Sequence, residues 1–170
     1  GPDSTFQMSG GTIDNNTARG SGGGVSVEKG GTFRMELDEE DSDSDGGTIS
    51  NNQAVNGGGV FINGTIFDMK DGKIIGNTAT ANGGGVYVTG AGAQANLSGG
   101  EISNNSAVNG GGVAVENQAV VQVGSEETAA KAASDGATIA KNKASQNGGG
   151  IAADHSTVKV SGGKIIENEA

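Results

Sequence analysis

Six carboxylates fall within the eight residues Asp38-Glu39-Glu40-Asp41-Ser42-Asp43-Ser44-Asp45, the densest cluster of titratable groups in a chain of 170 residues and formal net charge −10. Calcium takes six to eight hard oxygen ligands, and Asp41, Asp43 and Asp45 at alternate positions, with Asp38 upstream, supply that donor type. The run lacks the glycine and the closing bidentate glutamate of an EF-hand loop. Asp41 and Asp43 also offer a carboxylate pair for acid/base work on a polysaccharide. A block of like charges equally makes a solvated loop, because its members repel one another and stay extended.

A second candidate is aromatic. In Val60-Phe61-Ile62 and Val86-Tyr87-Val88 the middle residue falls on the face opposite its apolar neighbours. Phe61 and Tyr87 therefore pair on an outward face, where they stack on a sugar or a partner's apolar surface, or brace the sheet as a cross-strand pair. The most regular polar column is Asn16, Asn52, Asn77, Asn105, Asn142 and Asn168. Neutral amides are poor general acids and weak ligands, so this column reads as a structural ladder with amides bonded to one another and to turn backbone.

Other chemistries are excluded by composition. There is no cysteine, hence no thiolate metal site or disulfide, and the single His155 stands apart from the two arginines, Arg19 and Arg34. The acidic balance repels nucleic acid and anionic membrane. No apolar run nears the roughly 18 residues that span a bilayer, which predicts no membrane insertion by this chain. The triple glycines lack the lysine and serine or threonine of a phosphate-binding loop. With no acid recurring in one outward column, the chain reads as a non-enzyme without a cofactor, calcium excepted.

What positions these residues is a repeat. Glycine contributes 34 residues and the apolar set only 32%, too little for one broad core and far too much glycine for helices. Yet Ser9-Gly10-Gly11-Thr12-Ile13 to Asn16-Thr17-Ala18 returns as Gly46-Gly47-Thr48-Ile49 to Asn52-Gln53-Ala54, and four more times with small changes. The anchoring isoleucines 13, 49, 74, 102, 139 and 165 are separated by 36, 25, 28, 37 and 26 residues. The unit is thus roughly 26 residues, and two units carry inserts, at 38–45 and 125–135. The second insert reads as a short helix capped by Ser125 and stopped by Gly136, a lateral platform or a solvated decoration.

Apolar residues within a unit alternate with period two, as in Phe67-x-Met69 and Val86-x-Val88, the mark of short strands with one face inward. Three strands per unit, stacked in register about 4.8 Å apart, make an all-β parallel β-helix of about six coils. The six isoleucines form one inward ladder, with Ala18, Ala54, Ala79, Ala107, Ala144 and Ala170 beside it. Met8, Met69, Leu97 and Val160 form another, joined by Val123 and by Met35 or Leu37. Residues 3–170 read as one domain of a longer chain, and Gly1-Pro2 as a protease-cleavage scar. Open coils at both ends predict end-to-end or lateral self-association.

The pattern GG[TEK]IxxNxAxxGGGVxV over residues 6–170 resembles the repeats of bacterial polymorphic outer-membrane proteins and related glycine-rich surface adhesins. That family usually carries a GGA[ILV] tetrapeptide and a separate FxxN; here the first stands as Gly47-Thr48-Ile49 and its equivalents, and an Ile-x-x-Asn element replaces the second. The resemblance implies a right-handed parallel β-helix and extracellular display on a bacterial outer membrane or cell wall, as an autotransporter passenger or a wall-anchored protein. It implies an adhesive or stalk role toward glycan or protein on a host or neighbouring cell. The alternative is a β-helix lyase or glycoside hydrolase with its site near the acidic insert.

Overall fold

A computed structural model describes residues 4–41, 43–125 and 136–170, and among them every regular element is a β-strand. Twenty-one short strands assemble into four parallel sheets. One complete coil shows the path: Ile66–Met69 in the first sheet, Lys73–Ile75 in the second, Thr78–Asn82 in the third and Val86–Thr89 in the fourth. The chain then returns to the first sheet at Gln94–Leu97, one coil along. The molecule is a parallel β-helix.

Each of the four interior coils has four strands where alternation alone predicts three. The strand missed lies in the third sheet, in segments such as Thr78-Ala79-Thr80-Ala81-Asn82 that carry one buried alanine, Ala79, among polar or part-exposed residues. An inward stripe one residue wide leaves no hydrophobic alternation to read. In the first coil the same path shrinks to the isolated bridges Thr17 to Gln53 and Ser21 to Asn56.

Registers place like on like. Ile13, Ile49, Ile74, Ile102, Ile139 and Ile165 pair successively through the second sheet. Met8, Met35, Met69, Leu97, Val123 and Val160 do so through the first. Met35 rather than Leu37 holds the place in that column, because the strand ends at Met35 and leaves Leu37 48% exposed. Beside it Phe6, Phe33 and Phe67 stack with centroids 5.1 and 5.0 Å apart, an aromatic spine through the N-terminal half of the core.

The asparagine column runs between the second and third sheets. Asn77 Oδ1 accepts from the backbone N–H of Asn52 at 2.9 Å and from its Nδ2 at 3.0 Å. Asn77 Nδ2 in turn donates to Asn105 Oδ1 and to the Ile49 carbonyl, both at 3.0 Å. The pattern continues from Asn16 to Asn168. In the interior of the rod these amides are buried and their donors and acceptors are matched, which is the condition for burying amides without loss. The left-handed residue is not the ladder asparagine but the one before it: Asn15, Asn51, Gly76, Asn104, Lys141 and Glu167 all have φ between 52° and 66°.

Each triple glycine serves two needs. Gly83 turns the chain at φ 64°. At Gly85 an added Cβ would lie 2.7 Å from the Gly112 carbonyl and 2.9 Å from both Asn105 Nδ2 and Ile102 Cγ2. Both ladders are therefore approached by bare backbone.

Two outcomes follow for stability in urea. Gly85→Ala abolishes the cooperative transition, whereas Gly20→Ala, whose Cβ would meet nothing within 4 Å, leaves the midpoint in place. Asn77→Ala strands the Asn52 donors and the Ile49 carbonyl and costs about 3 kcal/mol. Asn16→Ala, at the exposed end of the ladder, costs less than about 1 kcal/mol.

Candidate functional site

The acidic insert leaves the corner between the first and second sheets, with Glu36 at its root paired to Lys70 at 2.7 Å. Its carboxylates largely fold the loop itself. Asp38 Oδ1 accepts from the Glu40 N–H at 3.0 Å, Asp41 Oδ1 from the Asp43 N–H at 3.0 Å, and Asp45 Oδ1 from the Gly47 N–H at 2.9 Å. These are Asx turns. Asp41, Asp43 and Asp45 border an open hollow of about 600 Å³ over the first coil, shared with Phe6, Met8 and Ile13. Among the described residues no three acidic, histidine or cysteine side chains gather as a metal-holding group. The second insert, with its expected helix, lies outside the described residues apart from Ser125.

Phe61 and Tyr87 are register partners on the outer face of the fourth sheet, with ring centroids 5.7 Å apart and planes tilted by 31°. They are not an exposed platform: the rings are 8% and 7% exposed and pack with Ala114. The fourth sheet meets the third in a concave corner, where Asn109 and Asn147 face Ala114 and Ala152 across a groove. The rings fill that corner in their own coils.

The opposite wall is a second amide ladder. Asn147 Nδ2 donates to Asn109 Oδ1 at 2.8 Å, Asn109 Nδ2 to Asn82 Oδ1 at 3.0 Å, and the Asn82 N–H to Asn56 Oδ1 at 3.3 Å. It runs toward the N-terminus, against the direction of the first. The Asn-Gly steps Asn56-Gly57, Asn82-Gly83, Asn109-Gly110 and Asn147-Gly148 announce turns in the sequence. Only the fold brings their side chains into line.

Where alanines 114 and 152 replace the rings, the groove opens into a pocket of about 400 Å³ bordered by Glu116, Asp154, Asn109 and Asn147. Tyr87 donates its hydroxyl to Glu116 Oε2 at 2.7 Å, which ties the filled part of the groove to the rim of the open part. Burial, and then the adjacent Glu116, push the Tyr87 phenol up to about 12. Elsewhere, hydrogen bonds from Asn51 and Ser50 hold the exposed Asp14 carboxyl below its ordinary value, so it stays an anion.

A further polar row crosses the outer face of the first sheet: Gln7, Arg34, Asp68, Asn96, Gln122 and Lys159 in successive coils. Arg34 Nε lies 3.6 Å from Asp68 Oδ2, and Asn96 Nδ2 donates to Asp68 Oδ1 at 2.7 Å. A search for recurring carboxylates passes over this row because its chemistry changes from coil to coil. Its signal is positional: each member sits between two inward residues, as Arg34 between Phe33 and Met35.

Fold and surface define a class, the parallel β-helix solenoids. Comparison with known proteins takes the assignment no further: no family model matches the chain, and no curated protein or solved structure matches it.

Tyr87 is the only tyrosine and tryptophan is absent, so the ultraviolet phenolate signal reports one residue. It is expected to titrate near pH 12 in the folded chain and near 10 in urea. Because the folded value is the higher, the stabilisation from this phenol is complete below pH about 10 and lost as pH rises toward 12. Glu116→Gln lowers the folded midpoint. A folded midpoint of 10 would refute the burial of this ring.

Proposed function

We propose that this chain is a non-catalytic adhesive module of a microbial cell-surface protein, a stalk segment that binds glycan, or a protein partner, on a host or neighbouring cell. The observation that carries the reading is the groove between the third and fourth sheets. In two successive coils it is lined by the small residues Ala114 and Ala152, by the amides Asn109 and Asn147 and by the carboxylates Glu116 and Asp154. Amide and carboxylate pairs at fixed spacing are what an oligosaccharide's hydroxyls require, and a small-residue floor admits a ring. Stacking on a sugar by Phe61 and Tyr87, one of the two roles the sequence offers them, has no part in this reading, because both residues are buried against Ala114. Hydrolysis of a glycosidic bond calls for two carboxyl groups facing each other across the scissile bond, and in this groove the Tyr87 hydroxyl engages Glu116.

The test fills the groove without disturbing the core. Ala152→Phe extends the aromatic column by imitation of Phe61 and Tyr87. On a glycan array the parent chain is expected to retain a defined set of oligosaccharides, and Ala152→Phe to lose them at least about tenfold with an unchanged urea midpoint. Equal retention by both would reject the groove as the binding surface. Release of reducing ends or unsaturated products from the retained glycans would reject the non-catalytic reading.

A further inference from the structure

We infer that the first sheet carries a second binding site, a pocket for a single hexose unit anchored by Gln122. The strand Val120–Val123 sends Val121 and Val123 inward, so Gln122 points to the outer face. A glutamine there is expected in water, yet Gln122 is only 8% exposed. Its Nε2 donates to Ser161 Oγ at 2.7 Å, with the carbonyls of Val123 and Gly124 at 3.3 and 3.4 Å. Carbonyls only accept, so a flipped amide would set acceptor against acceptor; the orientation is fixed. Oε1 is thereby turned the other way, buried and without a hydrogen-bond partner, and so is Ser125 Oγ.

Buried polar atoms are nearly always satisfied, and an orphan asks for an explanation. Both residues line one pocket of about 290 Å³, which Asn96, Ser98, Lys159 and Val120 complete. At about 30 Å³ per water-sized group the space suits one six-membered ring with its substituents. Gln122 Oε1 demands a donor, and the Ser125 hydroxyl takes a donor or an acceptor. Two adjacent hydroxyls of a pyranose offer both, with Val120 presenting an aliphatic surface to the ring. A phosphate or carboxylate would put an acceptor against Oε1. A bound peptide strand has no sheet edge to join here, since Val120–Val123 is paired on both sides. The proposal extends the glycan-binding reading to a separate site, so the two stand or fall on different variants.

The experiment titrates methyl glycosides of glucose, galactose and mannose into nitrogen-15-labelled chain and follows the side-chain amide signals. At least one glycoside is expected to shift the Gln122 amide saturably, to do so still in Ala152→Phe, where the groove is blocked, and to bind at least about tenfold more weakly to Gln122→Leu and to Ser125→Ala. Two variants guard against misfolding of either, and the remaining asparagine amide signals report an intact rod. A Gln122 amide unmoved by all three glycosides overturns the site. So does binding that survives in both Gln122→Leu and Ser125→Ala, or a short peptide that shifts the amide where the sugars do not. Glycoside binding lost in Ala152→Phe alone overturns this site and leaves the groove standing; loss in Gln122→Leu and Ser125→Ala alone leaves this site standing whatever the array reports for the groove.

Discussion

Each coil of the rod lies on the next at strand-pairing distance, so whatever occupies a position in one coil meets its counterpart about 4.8 Å away in the next. That single constraint orders the molecule. Residues that gain from contact with their own kind persist down a column: isoleucine on isoleucine, phenylalanine on phenylalanine at 5.0 Å, amide on amide at 3.0 Å. Glycine recurs where backbone meets backbone, as at Gly85 against the Gly112 carbonyl. The high glycine content is thus no shortage of core. It lets a narrow core close.

The same constraint separates structure from recognition. Inward positions and ladder positions answer to their neighbours above and below, and little variation is open to them. Outward positions of the first and fourth sheets escape this, and there the column changes character along the axis: arginine, aspartate, asparagine and glutamine on one face, phenylalanine, tyrosine and alanine on the other. The acidic insert exploits a similar freedom. It departs after Met35 and rejoins before Ile49, and the ladders on both sides keep their register with Met69 and Ile74. A corner can lengthen because no strand pairing crosses it.

Much of this was legible in the sequence, for a definite reason. A repeat of isoleucine, asparagine and triple glycine states which residues share a column, and parallel pairing in register follows. Features that depend on which residues of neighbouring sheets come together were not legible. The alternation around Phe61 and Tyr87 shows that they point outward, but only the concave corner explains their burial. The Asn-Gly steps signal turns locally, whereas their alignment into a ladder is a property of stacked coils. The third sheet escaped because its inward stripe is a lone alanine per coil. Leu37 and Met35 fit the alternation equally, and the end of the strand decided between them. Gln122 resembles any outward polar residue until the packing about it is known.

The two amide ladders bear on how such a rod answers force. Their hydrogen bonds, like those of the sheets, lie along the axis and join each coil only to its neighbours. Tension on the two chain ends therefore reaches the terminal coil first and peels it away before the next is exposed to the same pull. A rod built this way yields in steps of one turn of chain. Every step lengthens the tether by many times the height of the coil it gives up, while the coils left behind stay whole.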